Sequence, residues 1–470
     1  MSTSMLSPNS SYRIDGATPE QQALVDELAS SFFVSDEKIA SIIETFRQRM
    51  REGLQADGLE LKMIPAFIPH RPTGRESGSF FAIDLGGTNL RILRVTLKGN
   101  SQVDIEPQKY TLSEEAKSGP LFDFVAEKIG AFLDERGLLP AKDDPPIPMG
   151  FTFSYPVNQT SLTAGTLMHW TKGITAPNCV GRDVVRLLHD SLLRRHIKVN
   201  IVAMLNDTVS TLLGSAYMHP GTQMGVIFGT GTNAAYYERL DQIPKFCAPL
   251  DDPAASEMIL NIEWGGFDTR YSVLPATMHD IKLNRKSPNP FQQAYEKMIS
   301  GLYLGEIVRN AALYMVDQRL LFNGRSSSIL NEMWSIDTMY LTEAISDSSS
   351  DLSIVKDILE KTLGLDPTSL LDRRIFRAIA IMVGERASRL SSVGLVSTLL
   401  QRPELLEKHL IVGIDGSMYE FLPQFEERVY DTLRRFLSPD QFKNIRLILA
   451  KDCSSVGSAI AAMFYGSTRK

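Results

Sequence analysis

Asp207 stands where a carboxylate can take a proton. It follows Asn206 at the end of the near-continuous apolar run Val199 to Leu205 and precedes Thr208 and Val209. The C-terminal end of a buried strand is where ligands bind in α/β folds. A carboxylate there can accept the proton of a hydroxyl that attacks a phosphate. The same Asn-Asp-Thr also fits the N-cap of a helix over Thr208 to Ala216. Asp84 ends a second apolar run, Phe81-Ala82-Ile83, and is followed by Leu85-Gly86-Gly87-Thr88-Asn89-Leu90-Arg91. Gly86 and Gly87 have no Cβ, so their backbone can come close to a ligand. Their N–H groups and the Thr88 hydroxyl then face an anion, best read as nucleotide phosphate, with Asp84 placed to hold a metal ion beside it. Trp170-Thr171-Lys172-Gly173 offers a hydroxyl and an ammonium for a phosphoryl group or a sugar oxygen, although an exposed lysine is equally a solvated charge. Ser154 lies in Phe153-Ser154-Tyr155-Pro156 with no G-x-S-x-G elbow, which excludes a serine hydrolase. Glu263, in Glu263-Trp264-Gly265-Gly266, and Glu296 can accept hydrogen bonds from neighbouring sugar hydroxyls.

The elements that must position these groups are strands with glycine-rich ends. Phe81 to Leu97 reads as a β-hairpin, with Leu93, Val95 and Leu97 on one face and Ile92, Arg94 and Thr96 on the other. Gly225 to Tyr237 repeats the design around Gly229-Thr230-Gly231-Thr232-Asn233. His409 to Ser417 gives a third strand, ending at Asp415-Gly416-Ser417. Three such turns imply two related halves closing on one nucleotide. None is a Walker loop or a G-x-G-x-x-G fingerprint, so the phosphate cradle is of the hairpin type. Helical patterns run from Glu20 to Arg51, Asp183 to Arg195, most of Gln292 to Leu320, and Leu371 to Leu400, while Lys62 to Pro69 reads as an extended connector. Strands interspersed with helices make this an α/β protein. Residues up to about Ala17 are Ser/Asn-rich and expected to be loose, and the Ser-rich stretches 326–328 and 348–350 are expected on the surface.

A chain of 470 residues has room for two domains with sizeable cores. Its net charge of −6 argues against a general nucleic-acid or anionic-membrane surface. The N-terminus lacks a basic region followed by an apolar core, so neither a signal peptide nor a membrane anchor is expected. Three cysteines without metal-ligand spacing point to a reducing compartment, the cytoplasm.

Taken in order along the chain, these segments resemble the hexokinase/glucokinase family of the sugar kinase–actin–Hsp70 superfamily. The resemblance runs from about Leu61 to Phe464 and is carried by Ile83-Asp84-Leu85-Gly86-Gly87-Thr88-Asn89, Gly150 to Pro156, Trp170 to Gly173, Asn206 to Val209, Gly229 to Asn233, Glu263 to Gly265 and Glu296 to Glu306. It implies a two-lobed actin-like (ribonuclease H-like) α/β fold with a deep cleft. The small lobe would be 74–207, the large lobe 1–73 and 208–450, and 451–470 a C-terminal helix returning to the small lobe. It implies ATP-dependent phosphorylation of the 6-hydroxyl of a hexose, best glucose, with Mg²⁺, in a monomer or homodimer. Asp207 would be the base and Lys172 a second catalytic group. Ser154, Thr171, Lys172, Asn206, Asp207, Asn233, Glu263 and Glu296 would bind the sugar. Asp84, Gly86, Gly87, Thr88, Asn89, Arg91, Thr230, Gly231, Gly416, Ser417 and Ser454 would bind ATP, with Asp84 near the Mg²⁺, held through water. The family pattern carries glycine where this chain has Ser210, Ala234, Cys453 and Ser455, and serine where it has Gly266. Added Cβ atoms at Ala234 and in Cys453-Ser454-Ser455 are expected to strain backbone that needs positive φ and to weaken nucleotide binding. The alternative reading is therefore a sugar-binding regulator of the same family with impaired catalysis.

Overall fold

The two glycine hairpins open two sheets of one plan. The structure, a computed structural model, describes residues 12–466. Its strands in chain order are β1 (Ile64–Pro65), β2 (Ser77–Leu85), β3 (Asn89–Lys98), β4 (Val103–Thr111), β5 (Ile147–Phe153), β6 (Val157–Ser161) and β7 (Ala164–Leu167), then β8 (Val199–Leu205), β9 (Thr222–Phe228), β10 (Thr232–Arg239), β11 (Glu257–Asn261), β12 (Leu410–Asp415) and β13 (Ile445–Leu449). The first sheet has the order β4-β3-β2-β5-β8, and the second β1-β11-β10-β9-β12-β13. In each, three antiparallel strands begun by a glycine hairpin continue into two parallel ones, and the second sheet adds β1 antiparallel at its edge. β6 and β7 form a separate hairpin. The repeat is one of topology, which a search for repeated sequence cannot see.

Both faces of β3 are covered, as its alternation requires. Leu93, Val95 and Leu97 pack with Val456, Ala459 and Ile460, whereas Leu90 and Ile92 pack with Val125 and Ile129 of the Leu121–Asp134 helix. The second sheet carries the larger core, with the helices Pro19–Phe32, Asp36–Gln55, Leu304–Asp317 and Leu370–Gln401 packed around it. The Glu20 to Arg51 pattern resolves into two helices. The chain breaks after Phe32, and Ser35 caps the second helix by accepting a hydrogen bond from the Lys38 N–H at 3.2 Å. The stretch from Gln292 is likewise two helices, Ala294–Ile299 and Leu304–Asp317.

Residues 12–17 depart from the expectation of a loose segment, and residues 1–11 lie outside the described residues. The Tyr12 hydroxyl donates to Glu385, the Ile14 N–H donates to Gln22 Oε1 at 2.9 Å, and Arg374 donates to the Asp15 carbonyl at 2.9 Å. These side-chain partners offset the polar composition that made the segment look unanchored.

Between the sheets lie two helices, Asp207–Met218 and the C-terminal Cys453–Gly466. Their seam is built from backbone. A Cβ on Gly457 would fall 1.8 Å from the Ser210 carbonyl oxygen, one on Gly214 2.2 Å from that of Cys453, and one on Gly150 of β5 1.8 Å from that of Ser458. A small apolar cluster joins Leu205, Val209, Leu212, Leu213, Tyr237 and Ala461, drawing on β8, both helices and β10. Among the described residues no helix is long and apolar enough to cross a membrane.

Candidate active site

The turn Gly86-Gly87-Thr88 is closed by the Gly86 N–H donating to the Asn89 carbonyl at 3.0 Å. Neither glycine takes a positive φ. Close approach is what Gly87 is needed for: a Cβ there would sit 2.5 Å from Lys172 Cβ. The Tyr155 hydroxyl donates to the Gly86 carbonyl at 2.6 Å and braces the turn from behind. Lys172 itself has φ +56 and donates from Nζ to the Ser154 carbonyl at 2.8 Å. Phosphate turn, Ser154 and Lys172 are therefore one unit, although no sequence pattern links their segments. Thr171 precedes Lys172 on this loop, its carbonyl accepting from the Ile174 N–H at 3.2 Å.

Asp84, on β2, has no tight partner. Ser455 Oγ lies 3.4 Å from Oδ2 and Arg91 Nη1 3.9 Å from it, and Arg91 reaches Asp452 at 3.8 Å as well. Burial pushes the Asp84 carboxyl up to about 6; Arg91 opposes the shift and Asp207 adds to it.

On the opposite side, Gly229-Thr230-Gly231 links β9 to β10, with the Gly229 N–H donating to the Gly231 carbonyl at 3.0 Å. Gly301 and Leu302 N–H groups donate to Gly229 and Thr230 at 2.8 and 3.1 Å. Gly416, at the end of β12, has φ +121, and a Cβ on it would meet the Phe228 carbonyl oxygen at 2.3 Å. Only glycine satisfies both demands, and it brings the exposed Ser417 beside the second loop. Ser454 enters this end through its carbonyl, which accepts from Thr152 Oγ1 at 3.3 Å and from Ser210 Oγ.

Asn206 caps the helix after β8. Its Oδ1 accepts from the Thr208 N–H at 2.9 Å and from the Thr208 hydroxyl at 2.6 Å. The cap that sequence would equally assign to Asp207 is thus held by its neighbour. Asp207 Oδ1 accepts from the Thr208 N–H at 2.9 Å, which orients the carboxylate.

The remaining polar groups interlock. Asn233 Nδ2 donates to Glu263 Oε1 at 3.0 Å and to Asn261 Oδ1 at 2.7 Å. Asn261 Nδ2 donates to Glu263 Oε1 at 2.8 Å, and the Glu263 N–H donates to Asn233 Oδ1 at 3.0 Å. Glu263 adopts φ +57, a left-handed conformation held by these bonds. Glu296 Oε2 accepts from the Thr232 N–H at 3.0 Å. Burial pushes its carboxyl up to about 7; the Thr232 N–H opposes this, Glu263 reinforces it, and Lys172 and Lys297 oppose it. Lys172 thus acts electrostatically on both Asp84 and Glu296, so the two sides share one space.

Reading the sequence missed Asn261, Thr232 and Tyr155. Asn261 is a polar residue in the buried run of β11, and Thr232 stands between two loop residues already singled out; either signal was available. The expected strain at the departures is overturned. Ala234 lies in β10 opposite Val226, Ser210 inside a helix, and Cys453 and Ser455 in the first turn of another. None has positive φ, because extended and helical backbone accept any side chain; that conformation falls on Asp452, at φ +60.

Two glycine-turned sheets of one topology, facing across a cleft lined by carboxylates, asparagines and a lysine, define a sugar kinase of the actin-like fold. Two family models described as hexokinase match residues 24–217 and 223–464. Hexokinase-1 of Saccharomyces cerevisiae is 38% identical over 447 residues, covering 93% of this chain and 91% of that protein. Hexokinase-1 of Spinacia oleracea is 36% identical over 453 residues, covering 94% and 90%. The solved hexokinase of Schistosoma mansoni, complexed with glucose, is 36% identical with a TM-score of 0.84, covering 94% of this chain and 99% of that one. The chain belongs to the hexokinase family and is an ATP-dependent hexose kinase.

Proposed function

We propose that this enzyme transfers the γ-phosphoryl group of MgATP to the 6-hydroxyl of glucose, with Asp207 as the base. The observation that carries this reading is the Asn206 cap at the end of β8, which leaves the half-buried Asp207 carboxylate with one hydrogen bond, accepted by Oδ1. The glucose bound by the Schistosoma mansoni relative supports the choice of hexose. Asn233, Glu263, Glu296, Asn206, Ser154 and Thr171 bind the sugar, the two glutamates accepting from its hydroxyls. With the 6-hydroxyl held against Asp207, its proton passes to Oδ2 as the oxygen attacks phosphorus and ADP leaves. Lys172 faces the oxygens of the transferred group. Gly86, Gly87, Thr88, Asn89 and Arg91 receive the phosphates from one side, and Thr230, Gly231, Gly416, Ser417 and Ser454 hold the nucleotide from the other.

Among the described residues no three histidine, cysteine or acidic side chains converge as a metal cage. One carboxylate without a partner closer than 3.4 Å, as at Asp84, fits a Mg²⁺ that arrives on phosphates and keeps most of its waters. That ion supplies neutralisation of the phosphate charge. We take 74–207 with 451–470 as the small lobe and 1–73 with 208–450 as the large, and sugar binding as the step that closes them and excludes water. Three unpaired cysteines support a cytoplasmic location.

The test is a coupled assay of glucose 6-phosphate formation with MgATP. Asp207→Ala is expected to lower kcat by about 10²–10⁴-fold with glucose binding retained. Near-wild-type turnover in that variant removes Asp207 from the base role.

A further inference from the structure

Asp84 and Asp207 come from different elements, yet a hydroxyl chain ties both to the first turn of the C-terminal helix. Asp84 is paired in register with Thr152 on the neighbouring strand β5. Thr152 Oγ1 lies 3.2 Å from Ser210 Oγ and 3.3 Å from the Ser454 carbonyl oxygen, which share its one proton. Ser210, three positions after Asp207 on the same helix, donates to that carbonyl too. The next residue, Ser455, is 1% exposed and aims its hydroxyl at Asp84 Oδ2, 3.4 Å away, nearer than the Arg91 guanidinium.

We propose that Ser455 is a positioning residue: its hydroxyl holds Oδ2 of Asp84 so that Oδ1 faces the nucleotide-borne cation. Ser210 and Thr152 fix the helical turn from which Ser455 reaches. The base and the metal-side carboxylate thereby take their spacing from one common turn. A carboxylate on a buried strand with only a distant guanidinium would otherwise rotate about χ2. This inference rests on the role given to Asp84 above. It assigns to Ser455 the opposite effect to the strain expected from the sequence.

The test is calorimetric titration of wild type, Ser455→Ala and Ser455→Gly with the Mg²⁺ complex of a non-hydrolysable ATP analogue at saturating glucose, and of each with glucose alone. Both variants are expected to bind the Mg²⁺-nucleotide about five- to tenfold more weakly, as loss of one long hydrogen bond of about 1 kcal/mol implies. Glucose affinity should stay within about twofold. Ser455→Ala removes the hydroxyl and keeps helix propensity, whereas Ser455→Gly also loosens the helix, so retained glucose binding in both shows that the fold is kept. Unchanged or tighter nucleotide binding in the variants, or equal loss of both ligands, overturns the positioning role alone. A wild type that binds glucose but no nucleotide overturns the proposed function, and this inference with it.

Discussion

Glu296→Gln separates charge from shape on the sugar side of the cleft. Glu296 titrates at about 7 instead of 4.5 because it is buried, and the Glu263 carboxylate adds to the shift. The upward shift of roughly 2.5 pH units, at about 1.36 kcal/mol each, makes ionisation cost the folded protein up to roughly 3 kcal/mol. The unfolded chain releases this proton near 4.5 and the folded one near 7. Stability from this group therefore falls as pH rises between those values and stays low above them. Glutamine carries no charge and keeps an acceptor for the Thr232 N–H, which now reaches Oε2 at 3.0 Å. The variant should match wild type near pH 4, below the unfolded-chain value, and exceed it by up to about 3 kcal/mol at pH 8. Its glucose KM should nevertheless rise about tenfold or more at pH 8, because an amide accepts sugar hydroxyl hydrogen bonds less strongly than a carboxylate. Thermal melts at the two pH values, with glucose titrations beside them, read both effects. A difference in melting midpoint that does not change with pH would refute the reasoning, since the penalty would then not come from ionisation.

Two other perturbations test the nucleotide side. Gly416→Ala should cost about 3 kcal/mol of stability, as both a φ of +121 and a Cβ 2.3 Å from the Phe228 carbonyl oxygen forbid it; a melting midpoint equal to wild type would show that the turn can rearrange. Lowering the pH through 6 should raise the KM for MgATP severalfold as Asp84 takes up a proton, and Asp84→Asn should lack that rise. Since Asp415 titrates near the same pH, an undiminished rise in Asp84→Asn would assign the effect to Asp415.

The glycine hairpins were legible because their signals are local: alternation, a turn without side chains, and a polar residue at the strand end. The same holds for Asp207, whose apolar strand and following helix lie within a few residues of it. What could not be read was set by packing over distance. Thr152 and the Ser454 carbonyl are 302 positions apart, and nothing near either announces the other. Lys172 looks like an ordinary loop lysine until Gly87 is folded against its stem. The short strand β1 becomes a strand only by pairing with β11, so its Ile-Pro pair reads as a connector. The strain expected at Ser455 failed for a related reason: a glycine's φ depends on the element it occupies, and here that element is a helix.

The seam between the two central helices also dictates when the protein can become itself. Strands β2, β5 and β8 are made early in synthesis, yet the helix that covers their inner face, Cys453–Gly466, follows every other described strand and helix along the chain. Until it emerges, Ala82, Leu93, Val95 and Leu97 have no lid, and the Thr152 and Ser210 hydroxyls have no carbonyl to meet. Completion of the first sheet's packing during translation therefore waits for residues beyond 453, and that face must be kept from aggregating until they are made. A nonsense codon just before residue 453 would leave every cleft residue numbered before it encoded and still strip one face of the first sheet of its cover.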